Sequence, residues 1–172
     1  VLAAAKKVLR YLKGTKRLGL RRRIRRDDWH IKGYCDSDWA ACKQTRKSCN
    51  GYTVCVGGMP VAWKSGMQRT VALSTCEAEF VAASEGARIV EGVTNQVREI
   101  RRIAFEEELL PELRGPDLMC DNAAAYATCR CDAGVQRVKH LDIRYMYVRR
   151  LTRVGSLHVK KIGLLLWNIR NM

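Results

Sequence analysis

The sequence predicts an α/β domain, and three observations carry that prediction. Short apolar runs at 31–36, 51–56 and 61–64 follow one another with turn-forming residues between them. A long stretch with helical spacing comes next, opened by a cap signature. A brief apolar run at 118–120, two more helical stretches and a last strand-like run at 157–162 complete the chain. The 172 residues favour one domain with a sizeable core.

Taken in order, residues 1–12 read as a helix. Leu2, Ala5, Val8, Leu9 and Leu12 fall on one face, and Gly14 ends it. Arg21-Arg22-Arg23-Ile24-Arg25-Arg26 follows, and it is open to three readings: a solvated linker, a backbone-phosphate contact or a nuclear-import patch. The first three strands form an antiparallel meander by the hairpin rules. A polar, basic loop at 42–50 joins the first two, and Gly57-Gly58-Met59-Pro60 turns between the second and third. Ser74-Thr75-Cys76-Glu77 matches a capping box, with Ser74 as N-cap and Glu77 reaching back to free amides. The helical pattern runs on through Ile89, Val93, Val97, Ile100, Ile103 and Leu109, with a break expected near Gly92 and a stop at Pro111 and Gly115-Pro116. The 118–120 run ends at Asp121-Asn122, a helix follows over 123–129, and a basic helix is expected over 138–154. Trp39 and Trp63 are expected in the core, and His30 and His158 in structural or surface roles.

The charge balance points to a polyanionic partner. The 32 Lys and Arg against 17 Asp and Glu give a formal +15, for which nucleic acid is the default partner. A membrane is not expected. No apolar run approaches the roughly 20 residues of a span, and no signal peptide is evident in the first residues. The eight cysteines contain no C-x-x-C, and Cys129-x-Cys131 lacks a second ligand pair at zinc-finger spacing, so a zinc- or disulfide-built regulator is disfavoured. Reduced thiols acting as small hydrophobes are expected at Cys35, Cys55 and Cys120, hence a cytoplasmic or nuclear location.

Three acids carry the chemistry, and each is ambiguous alone. Asp36 and Asp38 lie two apart at the end of the first strand, where Asp is also a common turn former. Glu79 sits among Ala78, Phe80, Val81, Ala82 and Ala83, either paired with a cation or turned to solvent beside the core stripe. Asp121 follows a strand and precedes a helix, so it is a ligand or an N-cap. Together they fit a site for hard divalent cations, since strand ends and helix starts on one side of a sheet can converge. Two such ions, roughly 4 Å apart, drive in-line phosphodiester hydrolysis.

At this point the chain resembles the ribonuclease H domain of copia-type LTR retrotransposon polyproteins. The resemblance rests on Val8-Leu9-Arg10-Tyr11-Leu12-Lys13-Gly14-Thr15, Gly33-Tyr34-Cys35-Asp36-Ser37-Asp38-Trp39-Ala40, Thr45-Arg46-Lys47-Ser48 with Gly51-Tyr52, and Trp63-Lys64-Ser65. It continues through Val71-Ala72-Leu73-Ser74-Thr75-Cys76-Glu77-Ala78-Glu79-Phe80-Val81-Ala82, Cys120-Asp121-Asn122 and Lys139-His140-Leu141-Asp142-Ile143-Arg144-Tyr145. These blocks run in the family's order and spacing from the first helix to about Lys161. The resemblance implies a ribonuclease H-like, five-stranded mixed sheet (the meander plus parallel strands) flanked by helices. It implies a domain over 30–163, preceded at 1–29 by the basic tail of a reverse transcriptase connection and followed by a divergent end at 164–172. The implied activity is hydrolysis of the RNA strand of an RNA–DNA hybrid with Mg2+, or Mn2+, held by Asp36, Glu79 and Asp121. Recognition is expected to be of hybrid shape and 2′-hydroxyls rather than base sequence. Arg46, Lys47, Lys64 and Lys139, inside the shared blocks, are expected to contact nucleic acid. The reverse transcriptase and integrase regions of the same polyprotein are the implied partners. Asp38, His140 and Asp142 share these motifs without an assigned role.

The chain departs from the family at its end. Where relatives supply a fourth acid after the last strand, residues 164–172 carry no Asp or Glu. This leaves an alternative in which a degenerate module binds nucleic acid for an attached polymerase without cutting it.

Overall fold

The structure, a computed structural model, describes residues 2–19, 28–105, 112–130 and 139–162, and only the backbone of helix residues 124, 128, 130, 139–142 and 145. The basic block at 21–26 and the divergent end at 164–172 lie outside the described residues. Nine elements follow one another within them: α1 (Leu2–Thr15), β1 (Ile31–Asp38), β2 (Cys49–Val56), β3 (Met59–Met67), α2 (Thr75–Ala104), β4 (Asp117–Cys120), α3 (Ala123–Arg130), α4 (Lys139–Arg153) and β5 (His158–Lys161). The five strands form one sheet in the order β3-β2-β1-β4-β5. The first three pair antiparallel, and β1 with β4 and β4 with β5 pair parallel. The expected mixed sheet is thus present. Parallel neighbours need a long crossover between them, which α2 supplies for β4 and the α3–α4 pair supplies for β5.

The β2–β3 hairpin is tighter than the sequence suggested. Its turn is only Gly57 and Gly58, at φ 57° and 82°, so Met59 and Pro60 already belong to the strand. Two successive positive φ values match the twist of the strands, a geometry that glycine adopts without a Cβ clash. At the other end of the meander, the Ser48 hydroxyl accepts a hydrogen bond from the Ala40 amide at 3.1 Å and ties down the β1–β2 connection.

Helix α2 organises the core. Ser74 caps it, accepting from the Glu77 amide at 3.1 Å, while the Glu77 carboxylate accepts from the Leu73 amide at 2.8 Å. This reciprocal pair contributes on the order of 1 kcal/mol. The helix continues unbroken through Gly92, which is exposed and meets no neighbour that a kink would relieve. Its small residues let it settle closely on the sheet, where Phe80, Val81, Ala83, Ala87 and Val90 join Ile31, Cys35, Val54 and Leu118 in one buried cluster. The contact is closest at Gly33, where a Cβ would run into Val90 Cγ2 and lie 3.2 Å from Leu118 Cδ1. Gly33→Ala is therefore expected to destabilise the protein by about 1–3 kcal/mol through overpacking. Urea unfolding measures this, and an unchanged midpoint would mean that α2 is not seated against β1 at that point.

Two aromatic residues expected inside are outside. Trp39 is 43% exposed and tethered by its indole N–H to the Ala72 carbonyl at 3.1 Å, and Trp63 is 66% exposed on the edge strand β3, opposite Thr53. Helix α1 forms as its periodicity predicts, but none of its residues is buried, so the apolar stripe of Leu2, Val8, Leu9 and Leu12 faces solvent. Among the described residues no helix is long and apolar enough to cross a membrane.

Candidate active site

The parallel register of β1 and β4 builds the site. Tyr34 stands opposite Met119, so two residues further along both strands Asp36 and Asp121 leave the same edge of the sheet in step. Neighbouring strands lie about 4.8 Å apart, which sets the scale of their separation. Cys35 and Cys120, one step earlier, are buried free thiols with their sulfurs 3.5 Å apart. Glu79 enters from the second turn of α2, whose start is stapled beside β1 by Gln68. The Gln68 Nε2 donates to the Ala78 carbonyl at 2.9 Å, to Ser37 Oγ at 3.5 Å and to Asn50 Oδ1. The result is one cluster: Asp36, Glu79 and Asp121 each offer an oxygen, and these atoms all lie within 4.8 Å of one another.

Position excludes the simpler alternative at two of these acids. Asp121 does not cap α3; Asn122 does, its Oδ1 accepting from the Ala125 amide at 2.9 Å. Glu79 does not face solvent, being only 8% exposed. Asp38 is exposed at the end of β1 and stands outside the cluster. Asp36 is held by the Ser37 amide, which donates to its Oδ1 at 2.9 Å.

The electrostatics are those of crowded acids. Burial, then the charges of Asp121 and Asp36, push Glu79 up to about 8, against which a hydrogen bond from the Ser37 backbone works. Glu79 Oε2 and Asp121 Oδ1 are buried with no hydrogen-bond partner. An all-oxygen donor set with buried, unsatisfied lone pairs fits a hard divalent cation, which supplies the missing partner and offsets the repulsion. These three side chains would hold it.

Arg46 and Lys47 sit in the connection that follows β1, Arg46 at φ 55° with its side chain exposed, and Lys64 projects from β3. The side chain of Lys139 and those of His140 and Asp142 lie outside the described residues. His30 takes a structural role, with Nε2 3.0 Å from Asp117 Oδ2, while His158 is exposed. Asp117 is a buried acid that the sequence reading missed. Burial acts to raise it, but hydrogen bonds from Lys160 at 2.8 Å and from His30 prevail and lower its pKa. It lies at the opposite end of β4 from the cluster, where it braces β5. Its only sequence signal was an acid opening an apolar strand after Gly115-Pro116.

No family model matches the chain. Among curated proteins it is similar to the retrovirus-related Pol polyprotein from transposon TNT 1-94 of Nicotiana tabacum, at 35% identity over 93% of this chain and 11% of that protein. The chain spans about a tenth of the length of the curated relatives that it matches first. Among solved structures it resembles ribonuclease H1 from the halophilic archaeon Halobacterium salinarum NRC-1, at 12% identity over 79% of this chain and 87% of that one, with a TM-score of 0.48. It also resembles a prototype foamy virus protease–reverse transcriptase mutant, at 11% identity over 87% of this chain and 19% of that one, with a TM-score of 0.51. The latter likeness bears on fold alone, the mixed five-stranded α/β sheet described above.

Proposed function

We propose, from the chain's homology to the retrovirus-related Pol polyproteins of copia-type transposons at about 35% identity over most of its length, that it is a divalent-metal-dependent nuclease acting on the RNA strand of RNA–DNA hybrids. The observation that carries this reading is the convergence of Asp36, Glu79 and Asp121, from three separate elements, within 4.8 Å. A protein that only binds polyanions has no use for three acids so placed, since they repel both one another and the ligand. When bound there, divalent cations would activate the attacking water and stabilise the departing oxygen of an in-line hydrolysis.

The chain's own residues supply placement and charge. Asp36 is oriented by the Ser37 amide, and Glu79 by the Gln68 staple on the first turn of α2. Asp121 is left free of capping duty by Asn122. In this reading Arg46, Lys47, Lys64 and Lys139 draw the backbone phosphates of the hybrid towards the cluster, and the excess positive charge steers the encounter. The chain acts beside a reverse transcriptase region of one polyprotein, with 30–163 as the nuclease unit.

Purified chain incubated with end-labelled hybrid tests the proposal. Shortening of the RNA strand with Mg2+ or Mn2+, an intact DNA strand and complete arrest by chelator are the expected results. Salt-sensitive binding without cleavage at any concentration of either cation would instead support the binding-only module that the acid-free 164–172 segment allows.

A further inference from the structure

Trp39 is a large apolar side chain that is held in place and yet left in solvent. Its indole N–H donates to the Ala72 carbonyl at 3.1 Å, and the residue stays 43% exposed. The chain turns directly after it. Ala40 adopts φ 51°, a left-handed conformation uncommon for a residue with a Cβ, and its amide is tied to Ser48 Oγ at 3.1 Å. Such anchoring removes in advance the freedom that a side chain otherwise loses on binding.

With its N–H spent on Ala72, the exposed part of the ring offers carbon alone. It can pack on an apolar face but has no donor left for a partner. Val71 and Leu73, on either side of Ala72, are exposed as well, so the tether brings three exposed apolar side chains into one neighbourhood. Cations border them: Lys43 and Arg46 on one of the joined segments and Arg69 on the other are all exposed. Residues 39–76 contain no acid. Apolar surface between cations suits a ligand that alternates apolar and anionic parts, as a nucleic-acid strand alternates sugars and bases with phosphates.

The same tether fixes this surface relative to the carboxylate cluster. Trp39 lies three residues beyond Asp36, so their Cα atoms are at most about 11 Å apart. Ala72 lies two residues before the Ser74 cap of α2, the helix that carries Glu79. At a rise of about 3.4 Å per nucleotide along a strand, the ring falls within roughly three nucleotides of the carboxylates.

We propose that Trp39 is a substrate-positioning residue, whose ring packs against the sugars and base edges of an RNA–DNA hybrid beside the carboxylate cluster. The wide, shallow groove of an A-form-like duplex presents those groups to a flat side chain. The choice of ligand rests on the nuclease reading, and binding in chelator tests the contact where cleavage plays no part. A labelled hybrid is titrated over a range of salt with the wild-type chain, Trp39→Ala, Trp39→Phe and Ile103→Ala. Ile103 is an exposed apolar control, twenty-four residues beyond Glu79 on α2 and roughly 36 Å along the axis. Trp39→Ala is expected to bind about tenfold more weakly with the slope of log K against log salt unchanged, since an uncharged contact releases no counterions. Trp39→Phe keeps an apolar ring without the tether and is expected to recover most of that loss, while Ile103→Ala binds as wild type. With Mg2+, the KM for cleavage is expected to rise by a similar factor in Trp39→Ala with kcat little changed. Wild-type affinity in Trp39→Ala overturns the proposal. So do equal losses in Trp39→Ala and Trp39→Phe with equal falls in Tm, which leave the tether to Ala72 as the residue's whole role. The expected binding pattern without cleavage by any of the proteins overturns the nuclease reading and leaves the contact standing, and cleavage with unaltered binding does the reverse.

Discussion

In the Asp121→Asn variant, cleavage of the RNA strand is expected to fall by roughly three orders of magnitude, with hybrid affinity in chelator and thermal stability preserved. The magnitude follows from removing one of three anionic ligands. Cation-based stabilisation of the transition state is worth several kcal/mol, and about 4 kcal/mol corresponds to that loss in rate. The preserved stability follows from the surroundings. Asp121 caps no helix, since Asn122 does so, and its Oδ1 makes no hydrogen bond that asparagine would lose. Asparagine also removes a negative charge that bears on Glu79. The neighbouring Asn122→Ala variant should show the opposite pattern. It loses the 2.9 Å bond to the Ala125 amide, and with it about 1 kcal/mol of stability, but it leaves every carboxylate in place. Gel assays of RNA-strand shortening, beside thermal unfolding, read both. Wild-type cleavage by Asp121→Asn would remove the residue from the chemistry.

That pairing shows where the sequence was legible and where it was not. Local signals sufficed for the meander and for the Ser74–Glu77 cap, because turn chemistry and capping are decided by residues a few positions apart. They could not decide between ligand and cap at Asp121, because the deciding partner is the adjacent Asn122, an equally good cap former. Nor could they show that Asp36 and Asp121 emerge in step, since that depends on the register of strands joined through a 30-residue helix. Burial was the weakest inference. Trp39 and Trp63 are apolar enough for a core, yet one lies in a turn and the other on an edge strand whose outer face no described element covers. Asp117 went the other way, a charge taken inside because Lys160 and His30 are brought to it by neighbouring elements of the sheet. Helix α1 makes the same point at larger scale, for periodicity specifies a helix and a face but not what lies against that face.

Affinity for divalent cations should climb steeply between pH 6 and pH 8, and the climb should vanish in Glu79→Gln. Glu79 titrates at about 8 in the folded chain against an ordinary 4.5, because burial and then the charges of Asp121 and Asp36 disfavour its ionised form. Within that window the unfolded chain has released the proton and the folded chain retains it. Without a cation, the stability Glu79 contributes is complete below about pH 4.5 and is lost as pH rises towards 8. Asp117 does not mask this trend: its lowered pKa places its own loss of stability at the acid end, as pH falls through the folded value. A cation that binds the cluster must displace the Glu79 proton, so its apparent affinity gains up to about tenfold per pH unit until the residue is ionised. The rise in Tm produced by a fixed concentration of Mg2+ or Mn2+ should therefore be small at pH 6 and large at pH 8. In Glu79→Gln there is no proton to displace and one anionic ligand fewer, so the response should be weak and level across the same range. A cation response in the wild-type protein that ignores pH, or a Glu79→Gln variant that follows the wild-type curve, would separate Glu79 from cation binding and leave its burial among two other acids without a function.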